Sequence, residues 1–114
     1  MDRNRTAPLI AGLFLLAVAL PSAAYAADNG VEIQFRDHHF TPQTLTVAAG
    51  QPFTIKVVNN ASETIEFESF KLNRERVVSA GATITVHLPA LSAGSYEFYD
   101  DFHQDVPEGA IVAR

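Results

Sequence analysis

The sequence predicts an all-β domain, arranged as an antiparallel sandwich or barrel. Three observations lead to this prediction. About seven short segments alternate apolar and polar residues with a period of two, which is typical of strands with one buried face. Turns rich in Gly, Pro and Asn separate these segments. The chain shows no convincing helical period and no internal repeat, so a layered β architecture is the best match.

The apolar positions of each segment mark its inward face. In chain order these sets are Val31, Ile33 and Phe35; Leu45 and Val47; Phe53, Ile55 and Val57; Ile65 and Phe67; Ile84, Val86 and Leu88; Tyr96 and Phe98; and the run 110–112. Residues 37–42 interrupt the first segment, because Pro42 cannot donate a ladder hydrogen bond in a central strand. Residues 70–78 are less regular than the other segments.

The first 26 residues predict a secretory signal peptide. Arg3 and Arg5 precede the apolar run 9–20, and residues 24–26 read A-Y-A, which is an A-x-A cleavage site. The rival interpretation is a retained membrane anchor. It is the weaker one because the apolar run is shorter than the about 20 residues needed to cross a bilayer. We therefore expect export to the periplasm, cleavage after residue 26 and one domain over residues 27–114.

The composition argues against several kinds of function. The 114-residue chain has 13 acidic and 8 basic residues, a net charge of −5, and no basic cluster. Nucleic acids and anionic membranes are therefore poor partners. The chain contains no cysteine, which excludes disulfides, iron–sulfur clusters, cysteine-type zinc sites and thiol catalysis. Neither a G-x-S-x-G elbow nor a Gly-rich phosphate loop follows any predicted strand.

Five motifs carry a resemblance to a known family. They are D-H-H-F-T-P at 37–42, V-A-A-G-Q-P-F at 47–53, I-E-F-E-S-F at 65–70, R-E-R-V-V at 74–78 and G-S-Y-E-F-Y-D-D-F-H at 94–103. Through them, residues 31–112 resemble a cupredoxin-like domain, in particular the periplasmic kind associated with bacterial high-affinity ferrous-iron uptake beside an iron permease. The resemblance implies a Greek-key β-sandwich and a bound metal ion, copper and/or iron.

The motifs depart from those of blue-copper proteins, in which a late Cys-x-x-His-x-x-Met loop and an earlier His hold the metal. Here the Cys position falls on Asp100 or Asp101, the His position on His103, the Met position near Val106, and the earlier His position near Ile65 or Glu66. Blue-copper electron transfer depends on the thiolate, so its absence argues against that role. Carboxylates and imidazole instead favour iron, Cu(II), Mn(II) or Zn(II).

The resemblance implies six candidate metal ligands at one end of the sandwich. They are His38, Glu66, Glu68, Asp100, Asp101 and His103. His38 is preferred to its neighbour His39 because of its place in the D-H-x-F-x-P motif. Asp100 and Asp101 remain alternatives to each other. Such a mixed set of nitrogen and oxygen donors suits iron or copper, with one or more positions left to water.

The same residues also have purely structural interpretations. His103 with Asp101 fits a solvated loop pair. Glu66 and Glu68 share a strand face, and surface pairing with the arginines of residues 74–76 would contribute only about 0–1 kcal/mol. Two neighbouring carboxylates repel each other unless a cation lies between them, and this repulsion favours a metal.

Two functions then compete, with a third as the structural alternative. The first is a periplasmic component of iron uptake that binds iron and/or copper and delivers iron to a membrane permease. The second is a non-catalytic carrier or buffer of copper or zinc on the same fold, and the third is an interaction module with an incidental acidic end. Copper-assisted oxidation of Fe(II) stays open in the first case, because the sequence shows no oxidant or acceptor site directly.

Overall fold

The structure, a computed structural model, describes residues 30–114 together with residues 12 and 15–17. Nine strands follow one another in residues 30–114: β1 Gly30–Arg36, β2 His39–Thr41, β3 Thr44–Val47, β4 Phe53–Asn59, β5 Ile65–Ser69, β6 Arg74–Val78, β7 Thr83–Leu88, β8 Gly94–Asp100 and β9 Gly109–Ala113. The predicted signal peptide falls almost entirely outside the described residues. Within the described part of the chain, no helix has the length and apolar character needed to span a membrane.

The strands form two sheets that pack face to face. One sheet has the order β2-β1-β4-β7 and the other the order β3-β9-β8-β5-β6. The predicted all-β sandwich is confirmed. The sheets are mixed, however, since β1 pairs with β4 and β3 pairs with β9 in parallel. Parallel strands need a crossover connection. Between β1 and β4 the chain makes this crossover through β3, which follows β2 in the sequence and belongs to the other sheet.

Inward-facing apolar side chains fill the space between the sheets. Ile33 and Phe67 are fully buried, as the period-two pattern predicts. Phe40 packs against Phe35 and Phe98 with ring centroids 5.1 Å apart in each case, and Phe98 packs against Phe67 at 5.3 Å. These aromatic contacts link the two sheets directly beneath the end that carries the candidate residues.

Two strands differ from the sequence-based prediction. Part of the segment that contains Pro42 forms β2, which folds back on β1 through a turn at Asp37 and His38, both with positive φ (53° and 59°). The segment predicted as irregular contains β6, an edge strand in which only Val78 is buried. An edge strand lacks the alternation of a half-buried strand because much of it stays exposed to water.

Candidate metal centre

The pairing of β5 with β8 decides which side of the sheet each candidate residue faces. Phe67 lies opposite Asp100 and Glu68 opposite Tyr99. The Asp101 N–H donates a 3.0 Å hydrogen bond to the Glu66 carbonyl and so continues the ladder by one residue. Residues opposite each other share a face, and successive residues alternate. Asp100 therefore points inward with Phe67, whereas its neighbour Asp101 points outward.

Three carboxylates converge on the outer face. Glu66, Glu68 and Asp101 each offer one oxygen, and these oxygens all lie within 4.8 Å of one another. We call this group the carboxylate cluster. Glu66 is buried, with 6% of its surface exposed, and its Oε1 has no hydrogen-bond partner. A buried and unpaired carboxylate oxygen is costly unless a cation or a proton compensates it.

No basic side chain in the described part of the chain forms an ion pair with the carboxylate cluster. The register places Arg76 opposite Phe67, on the other side of β5, so the predicted arginine pairing is not formed. The Arg74 guanidinium instead donates to backbone carbonyls, including that of His87 at 3.0–3.2 Å. Lys71 forms its ion pair with Glu97, at 2.9 Å, and not with the cluster. Protein charges therefore leave the cluster uncompensated.

The electrostatics of the cluster raise the pKa of Glu66 to about 7. The first cause is a hydrogen bond with the Glu75 carboxyl. Burial follows, and then the negative charges of Glu75, Asp101 and Glu68. A bound cation would relieve the repulsion among these carboxylates.

The spacing of the carboxylate cluster fits a metal ion. Two oxygens bound to a common ion of the size of Ca(II), at about 2.3–2.6 Å, lie at most about 4.6–5.2 Å apart. The observed limit of 4.8 Å lies within that range. Glu66, Glu68 and Asp101 would hold the ion through oxygen alone, which suits hard cations better than Cu(I) or other soft ions.

A second group of polar residues lies at the loop end of the sandwich. His103 Nδ1 lies 2.7 Å from Asp100 Oδ2, and His103 Nε2 lies 2.9 Å from Glu63 Oε2. The His38 ring lies beside them, with its centroid 6.1 Å from that of His103. We call Glu63, Asp100, His103 and His38 the loop-end cluster. Its histidines make it the better candidate for a borderline ion such as Cu(II) or Zn(II).

Asp100 anchors the loop-end cluster. It is fully buried, and its Oδ1 accepts hydrogen bonds from the backbone N–H groups of Glu66 and Phe102, each at 3.0 Å. With Nδ1 of His103 bonded to Oδ2, all of its polar interactions are internal. A carboxylate that fixes the far nitrogen of an imidazole orients the other nitrogen toward a ligand, as in many metal sites. Here the other nitrogen, Nε2, is turned toward the Glu63 carboxylate at 2.9 Å.

Glu63 reaches His103 because a buried asparagine shapes its loop. Asn59 is fully buried, and its side-chain amide donates to the carbonyls of Glu63 at 2.7 Å and Val78 at 3.0 Å. Its Oδ1 accepts from the Ala61 N–H at 3.0 Å. Sequence reasoning did not identify Glu63. The only available signal was an acidic residue in the loop before β5, and acidic loop residues are common.

The structure therefore divides the six predicted ligands between two clusters. Glu66, Glu68 and Asp101 lie together on the outer face, and Asp100, His103 and His38 lie at the loop end. The sequence left Asp100 and Asp101 as alternatives at a single site. The structure separates them, because alternation along β8 turns residues 100 and 101 to opposite sides. Both aspartates thus belong to a cluster. His39, the rejected neighbour of His38, bonds to the Asp37 carbonyl at 2.7 Å.

His103 is expected to titrate above its ordinary pKa of 6.5. The hydrogen bond with Asp100 is the main cause, burial opposes it, and the charges of Asp100, Glu63 and Asp105 add to it. The resulting stabilisation is fully present below pH 6.5 and is lost as the pH rises through the raised pKa. An NMR titration of the imidazole checks this, and Asp100→Asn should return the pKa toward 6.5. An unchanged pKa in that variant would contradict the role of Asp100.

Comparison with known proteins gives the family. The sequence matches the Cupredoxin-like domain family over residues 8–113. The chain belongs to that family. An uncharacterised protein of Rickettsia prowazekii (strain Madrid E) is 39% identical over 85 residues, which cover 74% of this chain and 67% of that protein. This relative carries no functional information of its own.

Solved structures confirm the cupredoxin-like fold. Reduced auracyanin from Roseiflexus castenholzii superposes with a TM-score of 0.65 at 14% identity, covering 77% of this chain and 98% of that one. Auracyanin A from Chloroflexus aurantiacus, a "blue" copper protein, gives 0.63 at 18% identity, covering 75% and 98%. Amicyanin from Paracoccus versutus gives 0.60 at 19% identity, covering 78% and 88%. At these identities the likeness shows the fold alone.

The donor set of this cupredoxin-like chain does not fit a blue-copper centre. It contains no cysteine, so no copper–thiolate bond can form. Asp100 is already bonded to two backbone N–H groups and to His103. Val106, near the expected Met position, is a buried apolar residue. The residues on the outer face fit an oxygen-bound cation. At the loop end both nitrogens of His103 already contact carboxylates.

Proposed function

We propose that this protein is a periplasmic metal-binding component of bacterial iron uptake, which binds iron and/or copper and delivers iron to a membrane permease. One observation carries the proposal. Glu66, Glu68 and Asp101 bring three oxygens within 4.8 Å, and the buried Glu66 Oε1 has no partner. An oxygen-only site of net negative charge is chemically suited to hard cations such as iron.

The export route and the partner belong to the same proposal. Residues 1–26 act as a cleaved signal peptide, and residues 27–114 function in the periplasm beside an iron permease. The resemblance of the E-F-E and D-F-H motifs to iron-uptake cupredoxins supports this assignment. Iron in this role is cargo, and the carboxylate cluster holds it at the protein surface, where a partner protein has access to it.

A second candidate function is favoured by the loop-end cluster. His103, His38 and Glu63 provide imidazole and carboxylate donors with Asp100 behind them, which suits Cu(II) or Zn(II). Alone, this cluster would make the protein a copper or zinc carrier. Together with the carboxylate cluster it would place a redox-active copper ion in the same small domain as iron, which is the arrangement that copper-assisted oxidation of Fe(II) requires.

The test is a pair of titrations. Purified protein is titrated with Fe(II) without oxygen and separately with Cu(II), and Fe(III) formation is followed after air is admitted. We expect Glu68→Gln to weaken Fe(II) binding about tenfold and His103→Gln to weaken Cu(II) binding about tenfold, each with little effect on the other ion. Glu32→Gln, an exposed strand glutamate in the other sheet, is the matched control.

The outcomes separate the candidate functions. Binding of both ions, with faster oxidation of iron by oxygen when copper is present, supports copper-assisted iron uptake. Binding of both without this acceleration supports iron binding and delivery without oxidase activity. Binding of copper alone supports the carrier. If neither ion binds, the proposal is refuted and the acidic end is only a surface of an interaction module.

A further inference from the structure

A fourth carboxylate lies next to the carboxylate cluster. Glu75 on β6 is the direct cross-strand partner of Glu68 on β5, so both side chains lie on the outer face. Cross-strand partners have their Cβ atoms about 4.5–5.5 Å apart. Glu75 lies outside the group whose oxygens are within 4.8 Å, and its side chain is exposed on the edge strand. Because its carboxyl forms a hydrogen bond with that of Glu66, Glu75 is close enough to join the cluster by rotating its side chain.

The residues around Glu75 do not compensate its negative charge, so a bound cation would stabilise this arrangement. Like charges directly opposite each other in a sheet are destabilising, and here Glu68 faces Glu75. The residue opposite Glu66 is Val77, which brings no positive charge. Glu66 itself is 6% exposed and has an oxygen without a partner. The sheet thus collects four carboxylates on one face, buries one of them and pairs none with a described basic side chain.

We propose that Glu75 is the fourth carboxylate ligand of the cluster and that the four carboxylates select trivalent hard cations over divalent cations of similar size. The inference rests on the proposed function, in that the cluster binds a metal ion at all. Coulomb attraction scales with the charge of the ion, so each carboxylate favours a trivalent ion about one and a half times as strongly as a divalent one. For iron, this selectivity favours Fe(III) over Fe(II).

Tb(III) and Ca(II) are the probes for this selectivity. They are similar in size and both bind oxygen ligands, so they differ mainly in charge. The chain has no tryptophan, and Tyr99 lies directly opposite Glu68 on the outer face. Tyr96 lies on the other side of β8, where its hydroxyl donates to the Ser92 carbonyl at 2.8 Å. Tyrosine-sensitised terbium luminescence therefore reports an ion bound beside Tyr99.

The experiment titrates Tb(III) by luminescence and by calorimetry, with Ca(II) as competitor. We expect Tb(III) to bind about a hundredfold more tightly than Ca(II). Glu75→Gln should weaken Tb(III) binding about tenfold and Ca(II) binding about fivefold, since the loss scales with ion charge. Glu32→Gln, which removes one exposed charge from the other sheet, should change either affinity less than about twofold. Tyr99→Phe should abolish the luminescence and leave the calorimetric affinity unchanged.

Three results would overturn the inference while leaving the proposed function intact. They are equal losses in Glu75→Gln and Glu32→Gln, equal affinities for Tb(III) and Ca(II), or luminescence that survives in Tyr99→Phe. Failure of Tb(III), Ca(II) and iron alike to bind would refute the proposed function as well. Because Glu75 is exposed on an edge strand, Glu75→Gln should remain folded, which circular dichroism verifies.

Discussion

Replacing Glu66 with glutamine is expected to lower the affinity for Fe(II) about a hundredfold. Glu66 is the buried member of the carboxylate cluster, and glutamine keeps its shape while removing its charge. The loss should exceed that of Glu68→Gln because the field of a buried charge is screened less by water. Anaerobic titration of the variant and of Glu32→Gln measures it. An affinity equal to that of the parent protein would show that the ion does not bind at this cluster.

The same variant should be more stable than the parent protein in the absence of metal at alkaline pH. The pKa of Glu66 is raised from 4.5 to about 7 in the folded state. Stabilisation by its proton is therefore fully present below pH 4.5 and is lost as the pH rises through 7. His103 also loses stabilising free energy as the pH rises, and it does so in both proteins. The difference in unfolding free energy between parent and variant therefore reports the contribution of Glu66. Urea unfolding at pH 5 and pH 8 measures this difference, and lower stability of the variant at pH 8 would contradict the repulsion.

Replacing Asp100 with alanine is expected to destabilise the fold by about 3–5 kcal/mol, because it leaves buried groups without their partner. The backbone N–H groups of Glu66 and Phe102 and the imidazole of His103 would all lose their acceptor. Asp100→Asn keeps one oxygen for the two N–H groups, so we expect a smaller loss of about 1–3 kcal/mol. Equilibrium urea unfolding compares the two variants.

The decisive quantity is the difference in the free energy of unfolding between the two Asp100 variants. A cost of alanine no greater than that of asparagine would mean that the Asp100 oxygens do not hold β5, β8 and the loop together. The loop-end cluster would then owe its geometry to Asn59 and its loop, and a substitution at Asn59 would be the more damaging one. Measuring Asn59→Ala alongside makes that alternative visible.

Most of the fold could be predicted because its core strands are half-buried. Segments such as those containing Ile33 and Phe67 alternate strictly, and they are buried as expected. The short β2 and the edge strand β6 escaped prediction for physical reasons. β2 has three residues, too few to show a period, and β6 has water on most of its surface. The parallel pairing of β1 with β4 depends on the crossover through β3, which no local pattern encodes.

The candidate site could be predicted as a set of residues but not as a geometry. Alternation placed Glu66 and Glu68 on one face, and the structure agrees. The sequence left Asp100 and Asp101 as alternatives because strand alternation near a turn depends on where the ladder ends. The hydrogen bond from the Asp101 N–H to the Glu66 carbonyl shows that it ends one residue later than the strand itself. Glu63 enters only through the tertiary contact with His103.

The opposite orientations of Asp100 and Asp101 have an evolutionary consequence. Position 100 can exchange one donor for another, such as a thiolate for a carboxylate, on the inner side of β8. Position 101 keeps its place on the outer side whatever that exchange brings. Two adjacent residues thus contribute to two separate groups of polar side chains. A substitution at one of these positions therefore changes the donor groups on one side of the strand and leaves those on the other side in place.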